Sequence, residues 1–454
     1  MKSRRPYILL FAALTIIYHS NLRPVASGDS LPASLVPFSL LFDQRINLDR
    51  SGPWLRAHVP YASWVLVTSG GHYYSYTPVA GAVLASPLYL PILLVPNLRH
   101  WDPASLVALA RILEKFTAVT VAALTALVML ALLKRITSLP WAWGLTLVYA
   151  LATDAWSISS QALWQHTTGQ LVIACALLFL DHWSADRRSR WLWLSGLSIG
   201  WAMLIRPSNS LFFAAAVAGL LISRASIADV LGFSVLPLGG GLLALTYNLH
   251  VFGNSQGTYS ITMLNGDFWQ GLLGILASPG KGLFIYTPIS LFTICAFLRP
   301  AAAVRTKHAA ICWASAIFAV LQVLLVSRIY GWWGGYCWTA RYLSEIVPPL
   351  IVLIAIGTPL LAQPWIKRAF VVLTIYSIFI QAVGVYFYPK GHWDDTPVSV
   401  DEHPERLWDW RDNPIRRTVE AGPAWEPYAI VAAAITGGTS AAARKMHELH
   451  INPY

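Results

Sequence analysis

The stretch FTAVTVAALTALVMLALLKR occupies residues 116–135, and its first charged side chains are Lys134 and Arg135 at the end. A helix rises about 1.5 Å per residue, so residues 116–133 extend about 27 Å, close to the roughly 30 Å hydrocarbon core of a bilayer. Lys and Arg accumulate in cytoplasmic loops. We therefore predict a helix that crosses a membrane and ends on the cytoplasmic side.

The same pattern recurs along the whole chain of 454 residues, which is 56% hydrophobic and only 12% charged. Soluble domains carry about 25% charged residues. Other basic runs end or begin apolar blocks at residues 2–5, 187–190 and 367–368. The predicted crossings are residues 7–18, 116–133, 140–151, 171–180, 191–205, 210–222, 231–249, 287–298, 308–326, 343–361 and 369–388. The predicted fold class is all-α, a polytopic transmembrane helical bundle of about eleven crossings.

Charge and cysteine content exclude other classes of protein. The net charge of +11 is distributed among block ends and forms no basic face with interleaved aromatic residues, so a nucleic-acid partner is not indicated. Cys175, Cys295, Cys312 and Cys337 include no closely spaced pair, and three of them lie within apolar blocks. Neither a disulfide framework nor a zinc site is therefore predicted.

Two segments leave the topology open at this stage. Residues 7–18 follow a basic start and are short, so a secretory signal is the alternative to the retained first helix that we favour. Residues 79–96 contain three prolines, and a crossing there would invert the orientation of everything downstream. We interpret them as a re-entrant or interfacial segment. The alternative is that they span, and that residues 102–115 help form a return crossing.

This alternation divides the chain into a transmembrane domain, residues 1–388, and an extracytoplasmic tail, residues 389–454. The first extracytoplasmic loop is residues 19–78. The WDWR stretch at residues 408–411 indicates that the tail is an ordered cap, and a disordered tail is the alternative. We find no sequence repeat.

Acidic residues are scarce before the tail, so each one can be considered individually as a candidate site residue. Asp181, Asp186 and Asp229 fall at cytoplasmic ends, where a loop charge explains them. Six other acids map to the outer face of the membrane. They are Asp29, Asp43, Asp49, Asp154, Asp267 and Glu345.

Cations on the outer side oppose the usual distribution of Lys and Arg. Lys281 lies between two glycines, which allow close approach of a phosphate, and Arg328 and Arg341 flank a turn rich in Gly and Trp. We interpret these cations as anion binders. Arg206 interrupts an apolar stretch just before Pro207. One interpretation is that Arg206 is a functional residue, as charged residues in membrane segments usually are. The alternative is that its side chain extends to the membrane interface by snorkelling.

The order of these segments resembles the GT-C glycosyltransferase superfamily, in particular protein mannosyltransferases and the lipid A aminoarabinose transferase. The resemblance extends over about residues 1–390. The matching stretches are SGDSLP at residues 27–32, INLDR at 46–50, YYSYTP at 73–78, MLIRP at 203–207, SPGKGLFIYTP at 278–288 and GGYCWTARYL at 334–343.

The resemblance implies an outer-loop acid that activates the acceptor and basic residues that hold a lipid phosphate. Asp29 matches the position of the acid, with Asp49 second. Members of the superfamily often carry another acid before the proline of the later loop motif, but Ser75 or Tyr76 stands there. We therefore assign no metal ligand, and a divalent cation stays an open alternative. The expected substrate-binding residues are His72, Tyr73, Tyr76, His166, Arg206, Lys281, Arg328, Arg341 and Tyr342.

The expected function is a glycosyltransferase of the plasma (inner) membrane that moves a sugar from a polyprenyl-phosphate-linked donor to a glycan, lipid or protein acceptor at the extracytoplasmic face. Such an inverting displacement needs a carboxylate for the acceptor's proton and cations for the departing phosphate. The chief alternative is a multi-pass transporter or lipid flippase, and a third is a non-catalytic membrane partner. Transporters usually carry repeats and a site at mid-bilayer depth.

Overall fold

Helices form nearly every regular element of this computed structural model, which describes residues 4–23, 27–298 and 307–449. Parts of the predicted N-terminal basic run, first loop and tail lie outside these ranges. The α-helices are α1 (Arg5–His19), α2 (Leu31–Asp43), α3 (Gly52–His58), α4 (Ala62–Val65), α5 (Ala80–Ala85), α6 (Pro103–Ile136), α7 (Leu139–Leu151), α8 (Gln165–Asp186), α9 (Ser189–Ile205), α10 (Ser210–Ile222), α11 (Ile227–Phe252), α12 (Phe268–Ala277), α13 (Leu283–Tyr286), α14 (Ala309–Ser327), α15 (Val347–Ile356), α16 (Thr358–Leu361), α17 (Pro364–Tyr386), α18 (Pro414–Ala421) and α19 (Glu426–Glu448).

Shorter elements connect the α-helices. Two antiparallel strands, β1 (Leu66–Ser69) and β2 (His72–Ser75), pair with Leu66 opposite Ser75 and form a hairpin in the first loop. Residues Ala155–Ser159 form one π-helical turn. The 3₁₀ helices are Ser86–Leu94, Leu98–His100, Pro207–Asn209, Ile261–Leu264, Pro288–Ala296, Arg341–Ile346 and Pro404–Trp408.

Membrane-length helices form the main body of the protein. Within the described ranges, five helices are long and apolar enough to cross a membrane by length and composition: α6, α8, α11, α14 and α17. Shorter apolar helices accompany them at Arg5–His19, Leu31–Asp43, Ala80–Leu94, Leu139–Leu151, Pro207–Ile222 and Phe268–Ala277. The predicted all-α membrane bundle is confirmed at this level, and the count of about eleven crossings stays a prediction.

Helix α6 is 34 residues long, which corresponds to about 51 Å of rise. It begins where the Asp102 carboxylate accepts a hydrogen bond from the Ser105 backbone N–H at 3.0 Å, with a proline in the first turn. The helix continues without interruption through the apolar stretch 116–133. Residues 103–115 are therefore part of α6 and form no crossing of their own, and the interpretation of residues 79–96 as a re-entrant or interfacial segment stays a prediction.

The proline-containing segment 79–96 forms two short helices. Helix α5 is followed directly by the 3₁₀ helix Ser86–Leu94, and both pack against α2. Tyr89 and Ile92 are buried, whereas Leu94 is exposed. Prolines remove backbone donors, which explains why no single long helix forms here.

Close contact between α9 and α11 depends on glycine. A Cβ atom on Gly240 would lie 2.7 Å from the Gly200 carbonyl oxygen, and one on Gly200 would lie 2.8 Å from the Leu236 carbonyl oxygen. Small residues allow helix backbones to approach in membranes, where packing drives association. These two glycines bring α9, which ends at the candidate site, against α11.

Asp181 is buried and forms ion pairs that link helices, whereas the sequence suggested a charge in a cytoplasmic loop. Its two carboxylate oxygens contact Arg135 Nε and His308 Nδ1, each at 2.5 Å. The aspartate belongs to α8, the arginine to α6, and the histidine precedes α14. The interpretation as a loop charge is wrong, because Asp181 is only 1% exposed.

The tail packs on the helical body through apolar side chains. Trp393, Val400 and Leu407 are buried in the same hydrophobic cluster as the membrane helices. Lys281 Nζ lies 2.9 Å from Asp394 Oδ1 and also donates to the Cys337 carbonyl oxygen. Residues 393–407 of the tail are thus folded onto the helical body. Because Lys281 is fully buried, the proposed role of this lysine as an anion binder has no support from the geometry.

We predict that the Lys281–Asp394 pair holds the tail in place. Asp394→Leu leaves a buried ammonium group without its carboxylate, which should lower the free energy of unfolding by about 3–5 kcal/mol. Lys281→Met combined with Asp394→Leu should recover most of that loss. Thermal unfolding in lipid nanodiscs and protease sensitivity of the tail measure both effects.

The neighbouring Asp395 provides the control, because its side chain is half exposed. Asp395→Asn should change the unfolding midpoint little. A double variant as unstable as Asp394→Leu, or a single variant as stable as the unaltered protein, would contradict the prediction.

Candidate active site

Four segments that are distant in sequence meet at one end of the helical body. The loop before α2 supplies Asp29, the first turn of α8 supplies His166, and the end of α9 supplies Arg206. The 3₁₀ helix Arg341–Ile346 supplies the rest of the site. Arg206 is the C-cap of α9, and the following proline cannot continue the helix. The sequence thus ends α9 where its guanidinium enters the cluster.

The half-exposed Asp29 and the mostly buried Arg341 form an ion pair at the accessible part of the site. Arg341 Nη1 donates to Asp29 Oδ2 at 2.5 Å, and its Nη2 donates to the Gly334 carbonyl oxygen at 2.7 Å. Gly334 and Gly335 have φ angles of +77° and +73°, a left-handed backbone that glycine adopts at little cost. This turn presents its carbonyl group to the guanidinium.

The guanidinium charge of Arg341 is the main cause that lowers the pKa of Asp29 below its ordinary value. Burial opposes this effect, while the hydrogen bond from Arg341 and the charges of His166 and Arg206 add to it. Asp29 is therefore a carboxylate at neutral pH. Half of its side-chain surface stays accessible.

Glu345 is the buried centre of the cluster, with no exposed surface. Its Oε1 lies 3.0 Å from His166 Nδ1, and its Oε2 accepts from Arg206 Nη1 at 2.9 Å. A buried charge is tolerated when it is paired and hydrogen-bonded. One carboxylate thus fixes α8, α9 and the 3₁₀ helix relative to each other.

The Tyr342 ring contacts both guanidinium groups. Its ring centroid is 5.1 Å from the Arg206 guanidinium carbon and 5.6 Å from that of Arg341. Cations are attracted to aromatic faces at such distances. Arg206 is only 7% exposed, so it does not snorkel to the interface, and that alternative is wrong.

The loop after α11 borders the cluster. Tyr76 donates from its hydroxyl group to the Thr258 carbonyl oxygen at 3.1 Å, and Thr258 Oγ1 donates to the Tyr76 carbonyl oxygen at 2.6 Å. The Tyr259 hydroxyl group donates to Gln165 Oε1 at 3.1 Å. Burial raises the pKa of Tyr259 to about 12, so this hydroxyl group stays neutral.

The predicted site residues fall into two groups. Asp29, His166, Arg206, Arg341 and Tyr342 come together, and Tyr76 contacts the bordering loop. Elsewhere in the molecule, Asp49 accepts from the Tyr73 backbone N–H at 2.9 Å and contacts His72 Nδ1 at 2.7 Å. The exposed Arg328 donates to the Leu264 carbonyl oxygen. These four residues, like the buried Lys281, have no direct contact with the cluster.

Sequence reasoning missed Glu345, Gln165 and Tyr259 as site residues. Glu345 had a signal, because it is one of the scarce outer-face acids and follows Arg341 by four residues. Nothing in the sequence marks Tyr259, whose place depends on how the loop after α11 folds back over α8.

A divalent cation stays an open alternative for this site. Across the described residues, no group of three or more His, Cys, Asp or Glu side chains has the arrangement of a metal site. The accessible Asp29 carboxylate is occupied by Arg341, and Glu345 is occupied by Arg206 and His166. We therefore derive no step through a metal.

Removing the central carboxylate should destabilise the protein. Glu345→Leu leaves Arg206 buried without its partner, which should lower the free energy of unfolding by about 3–5 kcal/mol. Adding Arg206→Met should recover most of the loss, and the exposed Glu405→Gln should be neutral. Thermal unfolding in nanodiscs measures all three. Equal destabilisation in the single and double variants would contradict this prediction.

Comparison with known proteins adds one result. No family model and no curated protein sequence matches the chain. Among solved structures, ArnT from Cupriavidus metallidurans, bound to undecaprenyl phosphate, superimposes with a TM-score of 0.55 at 14% sequence identity. The match covers 98% of this chain and 75% of that one. The predicted resemblance is confirmed at the level of the fold, which this chain shares with ArnT.

Proposed function

We propose that this protein is a membrane glycosyltransferase that moves a sugar from a polyprenyl-phosphate-linked donor to an acceptor at the extracytoplasmic face. One observation carries the proposal. A half-exposed, ionised Asp29 lies against Arg341, and the Tyr342 ring contacts the guanidinium groups of both Arg341 and Arg206. The fold that presents this cluster is that of ArnT, which was solved with undecaprenyl phosphate bound.

Asp29, Arg341 and Arg206 have separate roles in the proposed reaction. Asp29 accepts the proton of the acceptor nucleophile as that atom bonds to the anomeric carbon of the donor sugar. The bond from the anomeric carbon to the phosphate oxygen breaks, and the lipid phosphate leaves with the electron pair. Arg341 and Arg206 stabilise the negative charge that accumulates on the phosphate. A single displacement of this kind inverts the anomeric configuration.

Arg341 serves the reaction in a second way, because its charge keeps Asp29 ionised and able to accept a proton. It also has unused donor capacity: its Nε is buried and has no hydrogen-bond partner among the described residues. A phosphate oxygen is an acceptor suited to guanidinium groups. Glu345 is buried and binds His166 and Arg206, so we place the phosphate at the exposed edge of the cluster, beside Asp29.

The charge distribution along α6 supports an extracytoplasmic site in the plasma (inner) membrane. Arg111 of α6 contacts the Asp29 loop, while Lys134 and Arg135 lie near the other end of the same helix. The rise from residue 111 to residue 135 is about 36 Å, enough to separate the two faces of a bilayer. Basic residues favour the cytoplasmic side.

Asp29 and Asp49 are distinguished by their surroundings, and transfer assays test the distinction. We expect Asp29→Asn to lower kcat at least about 100-fold, because it removes the proton acceptor. Asp49→Asn should retain transfer, since Asp49 contacts only the exposed hairpin. The measurement is transfer of radiolabelled sugar from a panel of polyprenyl-phosphate sugars by purified protein in nanodiscs.

Three outcomes would contradict the proposal in different ways. Loss of transfer in Asp49→Asn alone would move the base to the hairpin. Unchanged transfer in both variants would remove the proposed site. No transfer by the unaltered protein from any donor, together with lipid or solute movement in vesicles, would favour a transporter; neither activity would favour a non-catalytic partner.

The pH dependence of kcat/KM tests the pairing of Asp29 with Arg341. The ionised carboxylate is the active form, so activity should fall as pH drops through the lowered pKa of Asp29. Arg341→Gln removes the main cause of the lowering, so the acid limb should move to higher pH. Arg328→Gln, an exposed cation outside the cluster, should leave the limb in place. An acid limb that stays fixed in Arg341→Gln would overturn the pairing.

A further inference from the structure

Three charged side chains of α6 lie buried near the candidate active site without being part of it. Arg111, Glu114 and Lys115 are 6%, 2% and 6% exposed, in a helix whose remainder is largely apolar. None of them contacts Asp29, His166 or Arg341 directly. Apart from the Arg111–Glu114 pair, their hydrogen-bond partners belong to the loop that carries Asp29 and to the loop that leads to His166.

The first loop is bound by Arg111. Its Nη1 donates to the Ser27 carbonyl oxygen at 3.1 Å and to Glu114 Oε2 at 3.2 Å. Ser27 precedes Asp29 by two residues. The loop is therefore fixed on one side through its backbone by Arg111 and on the other through the Asp29 carboxylate by Arg341.

The second loop, residues 160–164, leads into α8 and His166. Glu114 Oε1 accepts from the Leu163 backbone N–H at 2.9 Å. Lys115 Nζ donates to Gln161 Oε1 at 2.7 Å and to the Ser160 carbonyl oxygen at 3.3 Å. The two loops also contact each other, since Trp164 Nε1 donates to Ser27 Oγ at 2.7 Å.

Energetic considerations indicate that these three side chains position the loops rather than stabilise the fold. A buried ion pair is weak evidence for stability, because apolar residues of similar volume often do as well. Lys115 is costlier still, since its two hydrogen-bond acceptors are neutral. The three side chains do provide hydrogen-bond partners for backbone N–H and C=O groups of irregular loops, and such groups are costly when they are buried without a partner.

We propose that Arg111, Glu114 and Lys115 form a brace, the α6 brace, that sets the position of Asp29 relative to His166 and Arg341. They are positioning residues, and this role rests on the proposed transferase function. A displacement of about 1 Å in a reacting group costs about 100-fold in rate. Loosening the brace should therefore lower kcat while the donor, bound by other groups, keeps its KM.

The test is the double variant Arg111→Met with Glu114→Gln, which leaves neither charge of the pair without its partner and retains an acceptor for the Leu163 N–H. We expect it to fold, to lower kcat about 100-fold and to leave the KM for the donor nearly unchanged. The single variant Arg111→Lys can still donate to the Ser27 carbonyl oxygen. Its kcat should therefore lie between those of the double variant and the unaltered protein.

The control removes an ion pair between α6 and α8, in which Asp181 is buried and Arg135 is partly exposed. Arg135→Met with Asp181→Asn acts at the opposite end of α6 and should leave kcat unchanged. Amide hydrogen exchange in nanodiscs gives a readout that does not depend on activity. Exchange should rise at residues 27–31 and 160–166 in the brace variant and stay low there in the control.

The outcomes separate this proposal from the proposed function. If the unaltered protein transfers no sugar from any donor, the transferase proposal fails and hydrogen exchange still decides whether the brace holds the two loops. Unchanged kcat in the brace variant, beside an inactive Asp29→Asn, would overturn the brace. So would a loss of kcat that only follows the unfolded fraction, with no local rise in exchange.

Discussion

The buried carboxylate of Glu345 is the constraint on which the rest of the site depends. A charge with no exposed surface must be paired, and its partners, His166 and Arg206, come from the start of α8 and the end of α9. This places the 3₁₀ helix that begins at Arg341, and with it the guanidinium that contacts Asp29. The buried carboxylate of Glu345 thus positions the accessible carboxylate of Asp29.

Local anomalies in the sequence were enough to predict much of the architecture and part of the site. Uncharged blocks of membrane length and basic runs predicted the helical bundle, since a bilayer penalises unpaired backbone and charge. Arg341 was found because cations are rare on the outer side, and Arg206 because it interrupts an apolar stretch. The outer-side argument has no support from the geometry at Lys281, whose partner Asp394 lies 113 residues away in the tail.

The contacts that sequence reasoning missed join residues far apart in the chain. Glu345 lies 179 residues from His166 and 139 from Arg206, and no local pattern encodes such pairs. Asp29 and Asp49 also look alike in sequence, as acids of one loop. Their difference comes from the contacts of Asp49 with His72 in the hairpin and of Asp29 with Arg341 in the cluster.

The central claim is that this cluster holds a lipid phosphate beside Asp29. A cryo-electron microscopy structure of the protein in nanodiscs with added undecaprenyl phosphate tests it most directly. We expect phosphate density within hydrogen-bond distance of Arg341 or Arg206, adjacent to the Asp29 carboxylate. Phosphate density elsewhere, at Arg328 or on the Asp49–His72 hairpin, with the Asp29 cluster empty, would contradict it.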